Sequence, residues 1–451
     1  MSGDANSTVL GVLVLARHGD RQGFYQDPNT YAASATRITP LGNQQHVQLG
    51  GLLRALYLNA SSPSNIAGLN GTALFDPTQV AVSADAGDEG GVIYDSAVSL
   101  TQGMWPATSA YNTTLANGTT VVGPLSGYQY VPIASVESSN DVSLEGFTSC
   151  GTFTNYVNAF YNSSEFAQKT QESASFLGQL KPYLDGRPVV LKNMWNIFDY
   201  MNVQSIHNAT FLNDLPGTYL AQARALANWH QYNSFSAPQL DSIGNIAART
   251  ALPSMITGLQ RIANGSDTLK VDIIAISYKP FLSLFNMTGV AEANPSLAGI
   301  VDYAAAVALE VRQASSGGEP VLRFNFKNGT ADSFHTYNLF GSDGDVPLAS
   351  FVSALAPAAV NTTTEWCSVC ANTQDRGCGA LALAAAQAKT HQKISPVGAG
   401  FLGAGLTVAV LAMALGVLAF LGVLVFGRRS RRAVQANSSE KKQQGSYDGS
   451  A

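Results

Sequence analysis

Val9-Leu10-Gly11-Val12-Leu13-Val14-Leu15-Ala16, followed without a break by Arg17-His18-Gly19-Asp20-Arg21, decides how the chain folds. The first eight residues include no polar side chain and no alternation, the pattern of a strand buried on both faces of a parallel sheet. Val271 to Ser277 (VDIIAIS) is a second run of this kind. Around the first, Thr39-Pro40 offers a cap and a proline at the first helical position, and Leu49, Leu52, Leu53 and Leu56 form a stripe, which predicts a helix over Thr39 to Leu58. Val80 and Val82 precede a Gly/Asp loop and a helix near Tyr94 to Gln102.

Further along, helices are predicted over Asn155 to Gly178, Asn193 to Ile206, Gly217 to Tyr232 and Asn245 to Ala263. Helices without intervening strands read as an α-helical insertion or cap within about 107–265. Val301 to Ala314 reads as a helix, Val321 to Phe326 as a strand and Ser350 to Leu355 as a short closing helix. The expectation is an α/β fold over 1–356, a doubly wound, mostly parallel sheet with helices on both faces. In such a sheet, ligands bind beyond the carboxyl ends of the strands. Arg17 to Arg21 stands at that edge.

The 451 residues include only 12% charged ones, and the net charge of −5 is uneven. Residues 427–451 hold four Arg, two Lys, one Glu and one Asp, a net +4, so the rest of the chain carries −9. An acidic body without a basic stripe excludes nucleic acid as a partner. Residues 397–426 contain no charge and are nearly all apolar, which predicts one C-terminal transmembrane helix in contact with a lipid bilayer. Arg428, Arg429, Arg431 and Arg432 follow directly, so the C-terminus is expected in the cytosol and the body outside or in a lumen. Residues 427–451 should form a disordered cytosolic tail and 357–396 a stalk.

Eleven Asn-x-Ser/Thr sequons precede the apolar segment, at Asn6, Asn59, Asn70, Asn112, Asn117, Asn162, Asn208, Asn264, Asn286, Asn328 and Asn361. Their number and even scatter fit a glycosylated ectodomain. The polar start MSGDANST holds no leader, so a signal peptide is expected upstream of the given sequence. Cys150, Cys367, Cys370 and Cys378 lack the second pair or nearby histidines that a zinc site needs, and disulfides are expected, with the pairing open.

Arg17-His18-Gly19-x-Arg21 resembles the hallmark of the histidine phosphatase superfamily, in particular its acid phosphatase and phytase branch. Gly23 stands where the hallmark has Pro. The resemblance extends over most of 9–356 and includes Ser96-Ala97 through Gly103-Met104-Trp105-Pro106. It implies that His18 attacks phosphorus to form a phosphohistidine. Arg17 and Arg21 would clamp the phosphoryl oxygens as permanently charged, planar donors. The implied ligand is a phosphomonoester or another oxyanion, with no cofactor and no metal.

The family's third phosphate-binding arginine is absent, because its position is Val92, and Tyr278-Lys279 replace its His-Asp pair. Lys279 could restore positive charge in the pocket. Asp85, Asp88, Glu89 and Tyr278 are the candidates for a substitute acid. Asp20 reads as a structural loop residue, the remaining histidines as surface or hydrogen-bonded core positions, and the aromatic segment Met194 to Met201 as core. Two functions remain open: an impaired phosphomonoester hydrolase, and an inactive pseudophosphatase that binds at the cell surface.

Overall fold

The computed structural model describes residues 7–23, 36–69, 74–86, 91–137, 139–314, 317–391 and 396–421. The chain divides into two units, 1–382 and 383–451. In the first unit the strands are β1 (Thr8–Arg17), β2 (Val80–Asp85), β3 (Asn112–Thr114), β4 (Thr120–Val122), β5 (Ala134–Val136), β6 (Val271–Ile276), β7 (Ala306–Gln313), β8 (Val321–Lys327), β9 (His335–Tyr337) and β10 (Val346–Pro347). The main sheet runs β10-β8-β7-β1-β6-β2-β5, with β9 on β8, while β3 and β4 form a separate hairpin.

β1 is central because it is buried on both sides. It pairs parallel to β6, Val12 opposite Val271 through Arg17 opposite Ile276, and antiparallel to β7, Ala16 opposite Ala306. β2 continues parallel to β6, and β5 to β2. β8, β9 and β10 extend the antiparallel wing. Leu13 and Leu15 enter one core with Met255, Leu259, Phe281 and Phe285. Val12, Val14 and Ala16 enter the other with Leu49, Leu53, Ala97 and Leu100. Period-2 alternation thus sends one continuous apolar strand into two helical layers.

The helix Pro40–Tyr57 begins as its sequence predicts, with the Thr39 side chain accepting from Gly42 N. It packs on Val92–Met104 at a contact that only glycine allows, since a Cβ on Gly50 would collide with Leu100 O and one on Gly103 with Val47 O. After β5 come the helices Gly151–Tyr161, Ser164–Leu180, Met194–His207, Ala209–Asp214 and Tyr219–Ser234. The predicted Asn155 to Gly178 helix is broken where Ser163 caps the second segment, its Oγ accepting from Phe166 N.

Three further expectations change. Val301 to Ala314 is a loop and β7 rather than a helix; its alanine-rich segment is paired on both sides, by β1 and β8, and this tertiary pairing overrides helix propensity. The first part of the expected stalk packs within the first unit. Trp366 is fully buried and donates Nε1–H to Gly146 O at 2.8 Å, and Arg376 donates to Glu145 O and Thr148 O. Disulfides join Cys150 to Cys370 and Cys367 to Cys378.

The structure does not support the transmembrane helix. Among the described residues no helix is long and apolar enough to cross a membrane. A helix, Pro396–Phe420, forms at that place. Residues 422–426 and the expected tail 427–451 lie outside the described residues.

One buried carboxylate in the sheet gives a pH signature. Asp272 of β6 lies against Gly258 of the helix Leu252–Ala263, and burial raises its pKa from 3.8 to about 6, opposed in part by Arg261. Its contribution to stability is therefore complete below pH 3.8 and is lost as pH rises through 6, by about 3 kcal/mol at most. Asp272→Asn should match the wild type in urea denaturation at pH 3 and exceed it at pH 7.5; equal stability at both values would refute this account.

Candidate active site

β1 delivers Arg17 to the carboxyl edge of the sheet, and the next three residues are held from several directions. Arg17 N donates to Ala305 O at 2.9 Å, and His18 O accepts from Ala304 N at 3.0 Å. Gly19 N donates to Ser96 Oγ at 3.0 Å, which is what the Ser96-Ala97 pair contributes. His46 Nε2 lies 2.9 Å from Arg17 O. A carbonyl only accepts, so the proton sits on Nε2, and burial keeps His46 neutral by lowering its pKa to about 4. Gly19 is required for close approach: a Cβ there would stand 2.6 Å from Gly42 O.

His18 is fully buried. Its Nδ1 lies 2.8 Å from Gly19 O, so by the same reasoning Nδ1 carries the proton and Nε2 the lone pair. That tautomer is the one a nitrogen nucleophile needs. The His18 ring centroid is 5.5 Å from that of Tyr303. The Tyr303 ring also carries Arg17 Cζ at 4.6 Å and Arg21 Cζ at 5.9 Å. Arg17 donates to Val301 O as well.

A cavity of about 480 Å³ lies above this floor, lined by Arg17, Arg21, Tyr278, Lys279 and Tyr303 among others. Tyr278 donates its hydroxyl to Gln231 Oε1 at 2.7 Å and stacks with Arg17 at 5.2 Å. Lys279 Nζ lies 4.6 Å from the Phe147 ring centre. The structure thus brings Arg17, Arg21, Tyr278 and Lys279 to one cavity, while His18 lies beneath the Tyr303 ring, fully buried and outside the lining. Val92 is fully buried as the first residue of its helix and supplies no polar group. Asp85 is buried at the end of β2, and the cavity lining does not include it. Asp88 and Glu89 lie outside the described residues.

Several cavity residues are not legible in the sequence. Met194–His207 is more than core: Met194, Ile197 and Met201 are buried, whereas Trp195, Phe198 and Asp199 line the cavity. Asp199 takes a two-pronged ion pair from Arg21 at 2.9 and 3.3 Å. Arg224 pairs with Asp302 at 2.6 Å. Asp20, by contrast, is structural, because its carboxylate accepts from the capping Thr39 and from His207 Nε2, the latter at 2.8 Å. Among the described residues no three His, Cys, Asp or Glu side chains are grouped to hold a metal.

No protein-family model matches the chain. Bovine prostatic acid phosphatase is 21% identical over 375 residues, covering 81% of this chain and 88% of its own. The fold is shared with solved phytases. The Citrobacter braakii enzyme superposes with a TM-score of 0.56 at 13% identity, covering 80% of this chain and 99% of its own. The Hafnia alvei phytase with tartrate gives 0.53 at 13%, covering 79% and 98%, and the D. castellii phytase 0.52 at 12%, covering 82% and 83%. At these identities the likenesses show a shared fold.

Asp199 offsets the charge of one of the two arginines at the floor, so an oxyanion must compete with it for Arg21. Asp199→Asn keeps the shape and removes the charge. Its affinity for inorganic phosphate at pH 7, read by calorimetry, should rise about tenfold, the effect of one unit charge at close range in a partly solvated site. Unchanged or weaker binding would show that the carboxylate serves to aim Arg21.

Proposed function

We propose that the chain is a phosphomonoester hydrolase-like ectoprotein that works through His18. The carrying observation is the His18 tautomer, Nδ1–H on Gly19 O, beside Arg17 and Arg21 stacked on one tyrosine ring. The likeness to an acid phosphatase supports the same reading. In the reaction, His18 Nε2 bonds to phosphorus as the ester P–O bond breaks, and the leaving oxygen departs with the electron pair. Water then attacks phosphorus, breaks the P–N bond and gives inorganic phosphate and neutral His18. Arg17 and Arg21 hold the charged oxygens throughout.

The leaving oxygen must take its proton from water or a weak donor, because Tyr278-Lys279 stand where the branch has its His-Asp pair. Positioned acid catalysis contributes about 10²- to 10⁴-fold, so turnover should be low and best for esters with acidic leaving groups. Tyr278, whose hydroxyl is already donated to Gln231, is a poor replacement. The second reading, a pseudophosphatase that binds oxyanions at the cell surface without turnover, is favoured by that loss and by the apolar Val92.

An extracellular or lumenal body forms part of the proposal. It is supported by sequons that are exposed at Asn59, Asn112, Asn117, Asn162, Asn208, Asn264 and Asn361, and by two disulfides. Asn6 and Asn70 lie outside the described residues. Attachment to a bilayer through 397–426, with the C-terminus cytosolic, rests on the uncharged apolar sequence and the arginines after it. Carbonate extraction of native membranes tests it, and release into the soluble fraction would refute it.

The full chain, expressed through a secretory pathway, should hydrolyse p-nitrophenyl phosphate, and His18→Ala should reduce the rate to background. Turnover retained in His18→Ala would sink the phosphohistidine route, and a folded wild type without turnover would leave the binding reading. Glycan mapping of the same protein should find Asn286 unmodified. Its Nδ2 is donated to Ala237 O and Asn245 Oδ1, and Thr288 of its sequon is fully buried.

A further inference from the structure

Tyr303 belongs to no motif in the sequence, yet it touches every group on which the proposed chemistry depends. It lies in the loop between Ile300 and β7, and that loop is fastened to the nucleophile segment at three points. Arg17 N donates to Ala305 O, Ala304 N donates to His18 O, and the Arg17 guanidinium donates to Val301 O. Ala304 holds a φ of 55°, in the left-handed region that a side chain seldom adopts. Non-glycine residues held there cluster at functional sites. The aromatic ring is placed as firmly as the β1 terminus itself.

The hydroxyl is the unusual part. Tyr303 is 8% exposed and lines the cavity, and its Oη has no hydrogen-bond partner among the described residues. A buried hydroxyl left without a partner is costly, and native proteins rarely keep one without a use. Phenylalanine would supply the same ring to Arg17 and Arg21 without that cost. Tyr278, the neighbouring phenol, shows the contrast, since its hydroxyl is satisfied by Gln231.

We propose that the Tyr303 hydroxyl is a ligand of the phosphoryl group, donating its hydrogen bond to an oxygen held by Arg17 and Arg21. The assignment rests on the phosphomonoester reading of this site and supplies a donor to a pocket in which Val92 offers none. Burial pushes the phenol up to about 12, against the pull of the two arginines, so it remains protonated and able to donate across the working pH range. A phenol held that far above neutrality is a poor proton source for a leaving group. Its role is therefore to hold the anion, and no proton is transferred.

The test compares the full-length protein with Tyr303→Phe. Affinity for inorganic phosphate is read by calorimetry, hydrolysis with p-nitrophenyl phosphate and glycerol phosphate, and stability by thermal denaturation. A lost donor to an anionic oxygen should weaken phosphate binding roughly 10- to 100-fold. The loss in kcat/KM should be equal for the two esters, because the bond is made to an oxygen that does not leave. Stability should be unchanged or higher, as no protein hydrogen bond is lost; a purely structural tyrosine would leave phosphate binding untouched.

Equal phosphate affinity in the two proteins would overturn the proposal while leaving the hydrolase reading intact. So would a loss confined to glycerol phosphate, the poorer leaving group, since that is the mark of a proton donor. Phosphate binding by a wild type without turnover would remove the hydrolase reading, and the affinity ratio would still decide the role of Tyr303. A wild type that binds no phosphate would remove both. Should Tyr303→Phe fail to fold, Tyr303→His, which restores a donor on a ring, is measured in its place; phosphate affinity at wild-type strength supports the proposal and loss below a hundredth overturns it.

Discussion

The four-residue segment Arg17 to Asp20 is held by hydrogen bonds that reach it from both layers and from the sheet. Ala305 and Ala304 bind it from the antiparallel side, Ser96 and His46 from the helices on one face, and Thr39 with His207 through Asp20. Backbone groups this deeply buried must be satisfied, and here each bond also aims a side chain. The arrangement requires β1 to have a parallel neighbour on one side and an antiparallel one on the other. β6 carries Tyr278 to the site from the first side, and the loop before β7 carries Tyr303 from the second.

The cavity combines strong and weak elements of an anion site. Two guanidiniums lie against one tyrosine ring, and Lys279 and Arg224 add charge to the lining, but Asp199 and Asp302 each pair with an arginine. Much of the remaining wall is aromatic, with Phe147, Phe153, Trp195 and Phe235. A site of modest net charge with an apolar wall suits a ligand that bears one phosphoryl group on an apolar body better than a ligand charged all around.

What the sequence revealed follows from local physics. The unbroken apolar run before Arg17 identified the central strand, and the Thr39-Pro40 cap identified its partner helix, because both signals lie within a few residues of the element that they specify. β7 was misread because Ala306–Gln313 takes its conformation from β1 and β8, which are remote in sequence on at least one side. Tyr303 and Asp199 were missed for a related reason: a tyrosine in a loop and an aspartate on an aromatic helix acquire meaning only from arginines hundreds of residues away. The disulfide pairing was equally hidden, since four cysteines allow three connectivities.

The bond between Cys150 and Cys370 spans 220 residues of sequence. The helices between β5 and β6, and the strands β6, β7 and β8, lie inside that covalent ring. A single proteolytic cut within it would leave the two pieces joined, with the floor residues of β1 still tethered to Tyr303. Tension applied to the chain beyond Cys378 would pass through Cys367 and Cys370 to Cys150, at the base of the helix that carries Phe153 and Tyr161. A mechanical load would therefore be shared between the base of that helix and the backbone that leads back from Trp366 to the sheet.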